Sequence, residues 1–196
     1  TYIAEGGSSR DFAITREWSW KYPKQVDALL GSLIESTISF LSLQASAGAD
    51  ALMLFDSWAS AVPAAQRNWL VIRPVKLIIE GLRKKGHQQP VIGFPKGIGE
   101  GLITYVEQSG VDAVGLDHGI DPVWVDRNLP QNFPVQGNLD PLSLLQAGPE
   151  MFRDIDHILD AFANRPHIFN LGHGITPPTP TENVQLMLDH VRQHQG

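Results

Sequence analysis

Ala51-Leu52-Met53-Leu54-Phe55-Asp56-Ser57-Trp58 is the stretch on which the fold turns. Five apolar residues run without alternation, then stop at an acid, a hydroxyl and an indole. An unbroken run this short reads as a strand covered on both faces, as parallel strands are. Polar groups where the run ends lie at the strand's carboxyl end, the place where parallel α/β folds bind ligands. The pattern returns four times downstream. Residues 90–94 (PVIGF) lead into Pro95-Lys96-Gly97, and residues 111–116 (VDAVGL) into Asp117-His118. Residues 133–136 (FPVQ) lead into Gly137-Asn138-Leu139-Asp140, and residues 167–171 (HIFNL) into Gly172-His173-Gly174.

Between these runs the spacing is helical. Val26, Leu29, Leu30, Leu33, Ile34, Ile38 and Leu41 share one helix face, with Pro23 placed to open the helix and Gly48 to close it. A second helical region covers 61–86, and Pro74 is expected to kink or split it. Further helices are expected after Gly99, Asp121, Asp140 and Pro149. Thr179-Pro180-Thr181-Glu182 has the form of a capping box, with Thr179 as N-cap and Glu182 at the third helical position. Strand and helix alternate with short joins, so the class is α/β with a parallel sheet. An open doubly wound sheet would place functional groups only near its switch point, whereas here every strand ends in them. That favours a (β/α)8 TIM barrel. Five strands do not close one, so the expectation is an incomplete barrel. Residues 1–196 would form the C-terminal portion of a single domain.

Composition narrows the function. Of the 196 residues 42% are hydrophobic and 18% charged, which suits a globular domain. The formal charge is −6 and the basic residues are scattered, so no nucleic-acid footprint is expected. Cysteine is absent, which removes disulfides, thiolate metal sites and a thiol nucleophile. No apolar run is read as approaching the roughly 20 residues of a membrane span, and the opening residues do not resemble a signal peptide. A cytoplasmic location without membrane attachment is the expectation. The sequence opens on Thr1 rather than methionine, which reads as a chain starting part-way through a longer polypeptide.

Several residues could carry chemistry. His173 lies between two glycines that allow close backbone approach, and its imidazole titrates near physiological pH. It serves either a ligand or a turn or helix cap. Ser57 would either bind a carboxylate, with Trp58 lining the pocket, or cap the next helix. No G-x-S-x-G elbow surrounds it. Asp117 and His118 are consecutive at a strand end and point different ways, which makes one shared metal difficult. Asp121-Pro122 and Asp140-Pro141 read as helix N-caps. His190 and His194 have i,i+4 spacing and are expected to be solvated. The glycine-containing loop 93–101 (GFPKGIGEG), with Lys96, could cradle an anion, but a flexible loop with a solvated lysine is the plainer reading. Neither H-E-x-x-H nor zinc-ligand spacing is present, so no metal site is expected.

Taken in order, six pieces resemble the uroporphyrinogen decarboxylase family. They are residues 1–7 (TYIAEGG), 54–59 (LFDSWA), 93–97 (GFPKG), 115–118 (GLDH), 135–141 (VQGNLDP) and 170–175 (NLGHGI). The resemblance runs through essentially the whole chain. It implies a barrel acting as a homodimer without a cofactor, a carboxy-lyase of haem and porphyrin biosynthesis. The substrate implied is the tetrapyrrole uroporphyrinogen III, whose four acetates lose carbon dioxide to give coproporphyrinogen III. The resemblance also implies that Tyr2, Ser57 and His173 match the family's active-site tyrosine, hydroxyl residue and histidine. Tyr2 and His173 would be catalytic, and all three would touch substrate. The family's aspartate and arginines belong to its N-terminal third, which has no counterpart in this sequence. The isolated chain is therefore expected to be inactive.

Two other classes share the barrel. Zinc-dependent cobalamin- or thiol-linked methyltransferases need a His and Cys cluster to hold a thiolate. The lack of cysteine opposes that reading. A non-catalytic porphyrin-binding paralogue would have no need to keep Tyr2, Ser57 and His173 together.

Overall fold

The computed structural model describes residues 1–7 and 9–194. It comprises two compact units, residues 1–111 and 112–196, which are taken in turn. Both are α/β, and all strand pairing within them is parallel.

The first unit opens with α1 (Tyr2–Glu5), α2 (Ala13–Lys21) and the long α3 (Pro23–Ser46). Strand β1 (Leu52–Asp56) follows, then a 3-10 turn (Ala59–Ala61), α4 (Ala64–Arg67), a π-helical turn (Asn68–Ile72) and α5 (Arg73–Lys84). Strand β2 (Val91–Pro95) and α6 (Gly101–Ser109) complete it. The two strands pair from Leu52↔Val91 to Asp56↔Pro95. Leu52 of β1 and Val91 and Phe94 of β2 fill a core with Ile34, Ile38 and Leu41 of α3, Ile78, Ile79 and Leu82 of α5, and Tyr105 of α6. Phe55 is 69% exposed, so β1 is not covered on both faces as its unbroken run suggested. Gly81 lets α5 approach α3 closely, since a Cβ there would come within 3.0 Å of Ile38 Cγ1.

The helical region 61–86 is divided as expected, because the π turn Asn68–Ile72 separates α4 from α5 and Pro74 lies in the first turn of α5. Helix α3, in turn, is long and apolar enough by length and composition to cross a membrane, contrary to the reading of the apolar runs. Ser32, Ser36, Thr37 and Ser39 each donate to the carbonyl four residues earlier. One face of α3 nevertheless packs on α5 and β1.

The second unit contains β3 (Ala113–Gly115), α7 (Pro122–Asn128), β4 (Val135–Gln136), α8 (Pro141–Gln146), α9 (Gly148–Ala161), β5 (His167–Ile168) and α10 (Thr181–His194). Val114↔Val135 and Val135↔His167 set the register. These strands are shorter than the apolar runs, yet the ladder continues past them. Leu116 N donates to Gln136 O at 2.7 Å, Gly137 N to Ile168 O at 3.0 Å and Leu139 N to Asn170 O at 3.1 Å. Val114, Val125, Val135, Leu139, Leu144, Met151, Ile155 and Phe162 form the core. Asp121 and Asp140 cap α7 and α8 as expected, accepting from Val123 N and Leu142 N. The capping box at 179–182 does not form. Thr179 Oγ1 lies 2.8 Å from Thr176 Oγ1, and α10 begins only at Thr181.

Candidate active site

In the first unit the strand ends bring aromatic groups around Ser57. The serine is half-buried in the turn after β1, and the N-cap of the following 3-10 turn is Trp58, so Ser57 does not cap it. Tyr2 meets Trp58 edge-on with ring centroids 6.2 Å apart, and Phe12 packs on the same indole at 5.0 Å. Tyr2 and the Ser57–Trp58 turn are thus brought together within one unit.

Asp56 sits beneath this turn. Burial pushes its carboxyl above the usual range, against a hydrogen bond from the Trp58 backbone N–H that favours the charged form. It lines an apolar cavity of about 170 Å³ together with Trp58, Leu29, Leu70 and Ala4. Burial, and secondarily the Asp56 charge, also raises the hydroxyl of Tyr105. Gly93 makes room for that ring, because a Cβ there would lie 2.9 Å from Tyr105 Cε1.

The loop after β2 is filled by the protein itself. Gly97 and Gly99 adopt positive φ, +71° and +58°. The guanidinium of Arg67 occupies the space beside Gly101, 2.7 Å from where a Cβ would stand, and reaches Glu100 at 3.6 Å. Lys96 is half-buried, its backbone N–H donating to Asp56 O and its carbonyl accepting from Ser60 N, and Arg67 is a residue that sequence reading did not single out.

In the second unit the turns after β3, β4 and β5 are joined by polar contacts. Asp117 Oδ1 accepts from Gly119 N at 2.9 Å. Asn138 Nδ2 donates to Asp117 O at 3.0 Å and Ile120 O at 2.8 Å. Gly172 N donates to Leu139 O at 2.7 Å. His173 follows, exposed; the next helix begins at Thr181, so His173 is no helix cap. Below this mouth His167 Nε2 donates to Gly137 O at 2.6 Å, its ring 4.7 Å from that of Phe162. Burial holds its imidazole below the ordinary value.

His190 and His194 depart from the expectation of solvation. His190 Nε2 lies 2.7 Å from Asp156 Oδ1 and its ring stacks on Phe152, while His194 reaches Asp156 at 3.4 Å and Asp160 at 3.3 Å. The missed signal was that Asp156 and Asp160 repeat the i,i+4 spacing on α9, ready to meet the histidines of α10. Among the described residues no group of three or more His, Asp or Glu is arranged to hold a metal ion.

Parallel strands that each end in polar turns, with helices between them, define an α/β protein of the TIM-barrel type. A methyltransferase from Methanosarcina mazei shares that fold, with a TM-score of 0.79 and 16% identity over 92% of this chain and 53% of the other. The chain belongs to the uroporphyrinogen decarboxylase (URO-D) family, which it matches over residues 1–194. Uroporphyrinogen decarboxylase of Novosphingobium aromaticivorans is 48% identical over 192 residues, 98% of this chain and 56% of the relative. That of Maricaulis maris is 44% identical over the same shares. The chain thus spans a little over half the length of the curated relatives it matches.

Proposed function

We propose that this chain supplies one side of the active site of a uroporphyrinogen decarboxylase, removing carbon dioxide from the four acetates of uroporphyrinogen III. Family membership over residues 1–194 is the observation that carries the reading. Tyr2, Ser57 and His173 support it, since Ser57 and His173 lie in turns at strand ends and Tyr2 packs on the indole beside Ser57.

The chemistry gives each residue a task. Direct loss of carbon dioxide from an acetate would leave an unstabilised carbanion. Protonation of the pyrrole at ring carbon makes the ring an electron sink, and the electrons of the breaking C–C bond flow into it. A proton then completes the methyl group, and the ring carbon gives up the proton it took, restoring the pyrrole. A carboxylate near the pyrrole N–H groups stabilises the cationic ring. In the family an aspartate of the N-terminal part does this, and Tyr2 is its helper. Ser57 and His173 hold substrate carboxylates and orient the ring. Asp56 and Asp117 take no part in this: the first bonds its own turn, and the second closes the turn at Gly119. The working protein on this reading is a cytoplasmic homodimer, cofactor-free, with this chain as the C-terminal portion of a single barrel domain.

The test grafts residues of this chain into the Novosphingobium aromaticivorans enzyme in place of the matching segment. The chimera is expected to form coproporphyrinogen, and this chain alone is expected to form none. Tyr2→Phe, Ser57→Ala and His173→Ala in the chimera should lower kcat/KM on the order of 10- to 100-fold. A folded chimera without turnover, or near-unchanged rates in all three variants, overturns the reading.

A further inference from the structure

We infer that Asn138 is a positioning residue that sets His173 by tying together the turns after β3, β4 and β5. The inference rests on the proposed role of His173 in holding substrate.

Asn138 is buried, 4% exposed, in the turn after β4. Its side-chain nitrogen donates to two carbonyls of one neighbouring turn, Asp117 O at 3.0 Å and Ile120 O at 2.8 Å. Two carbonyl oxygens facing one buried position require a group with two N–H bonds, and a carboxamide of this length supplies them. The residue after it continues the linkage. Leu139 N takes Asn170 O at 3.1 Å, and Leu139 O accepts Gly172 N at 2.7 Å.

Gly172 closes the ring from the other side. A Cβ at 172 would overlap the backbone nitrogen of His118 and stand 2.8 Å from its Cα. The Asp117–Ile120 turn is therefore gripped by Asn138 and abutted by Gly172, which is itself bonded to the neighbour of Asn138. His173 is the next residue along. With both flanks of Gly172 occupied, the backbone from which His173 projects follows wherever the Asn138 side chain holds the turn. An amide that served only to satisfy buried carbonyls would contribute stability and leave His173 where it is.

A double-mutant cycle in the chimera separates the two. Asn138→Leu removes both donors at similar volume. It is expected to lower kcat/KM on the order of tenfold, changing KM and kcat in the proportion seen for His173→Ala. Asn138→Gln, which keeps the carboxamide, should recover part of the loss. Asn138→Leu combined with His173→Ala should be no worse than His173→Ala alone. Multiplicative losses in the double variant, or wild-type kinetics for Asn138→Leu, overturn the inference.

If Asn138→Leu does not fold, Asn138→Ser, whose hydroxyl donates to one carbonyl, takes its place in the same cycle. A readout free of catalysis uses this chain itself. The ring resonances of His173 in NMR are expected to move in Asn138→Ser, and unchanged resonances overturn the positioning role even where turnover falls. Wild-type turnover by His173→Ala with moved resonances would instead overturn the functional reading of His173 and leave the linkage standing.

Discussion

The turn after β1 and the turns after β3, β4 and β5 occupy the same kind of place, the carboxyl end of a parallel strand, and are held by different forces. Around Ser57 the contacts are ring on ring, Tyr2 and Phe12 against Trp58, with one backbone bond to Asp56. Around His173 they are N–H donors aimed at carbonyls, from Asn138, Leu139 and Gly172. Ring contacts are broad in angle and lose little when a ring slides, whereas N–H···O bonds weaken steeply off axis. Tyr2 remains 64% exposed and Trp58 37%, so the aromatic turn can adjust to a large flexible ligand. The polar turns present His173 from a backbone fixed in advance.

The second unit should break hardest, at the amino end of β5. Arg165 is enclosed, its Nε donating to Asp126 Oδ1 at 3.0 Å and one terminal nitrogen to Asp126 O at 3.0 Å and Leu129 O at 3.4 Å. Asp126→Ala would strand a buried guanidinium and is expected to cost about 3 kcal/mol in urea unfolding. Arg165→Met, which removes the charge with the group, should cost clearly less, because the Asp126 it leaves behind is partly open to water. Equal losses would mean that packing, and not the buried charge, holds this end of the second unit.

The aromatic side should yield less. Trp58→Ala removes two ring contacts from a part-exposed residue and is expected to cost about 1–2 kcal/mol, with Trp58→Phe restoring most of it. If the indole lines the substrate surface as the proposed function has it, Trp58→Ala in the chimera should raise KM more than it lowers kcat. A loss as large as that of Asp126→Ala would erase the contrast between the two regions.

What could be read in advance follows the same division between local and through-space effects. Residues 51–55 and 90–94 announce strands because an unbroken apolar run needs no partner to be recognised. Asp121 and Asp140 announce caps because a carboxylate before proline reaches only its own helix. The clamp of Asn138 was not legible, though its motif was, since its partners lie 18 and 21 positions away. His190 and His194 looked solvated for the same reason: their carboxylates sit on another helix. Thr179 had the right local spacing and lost its capping role to a competing hydroxyl, Thr176.

The smallest effects, and the ones that compare the regions most directly, concern two buried groups lacking an ion-pair partner as the main influence on their charge. Burial dominates both shifts, raising Asp56 from 3.8 and lowering His167 from 6.5. Linkage gives them opposite slopes. As pH rises past 3.8 the unfolded chain releases the Asp56 proton first, so stability falls through that window up to the raised folded value. As pH drops below 6.5 the unfolded chain takes up the His167 proton first, so stability falls toward acid until the lowered folded value is passed. Asp56→Asn should remove the first slope and His167→Gln, which keeps a donor for Gly137 O, should flatten the second. Melting temperatures from pH 4 to 8, stepped by about one unit, read both slopes. A His167→Gln variant that keeps the wild-type acid slope would move its origin to other groups.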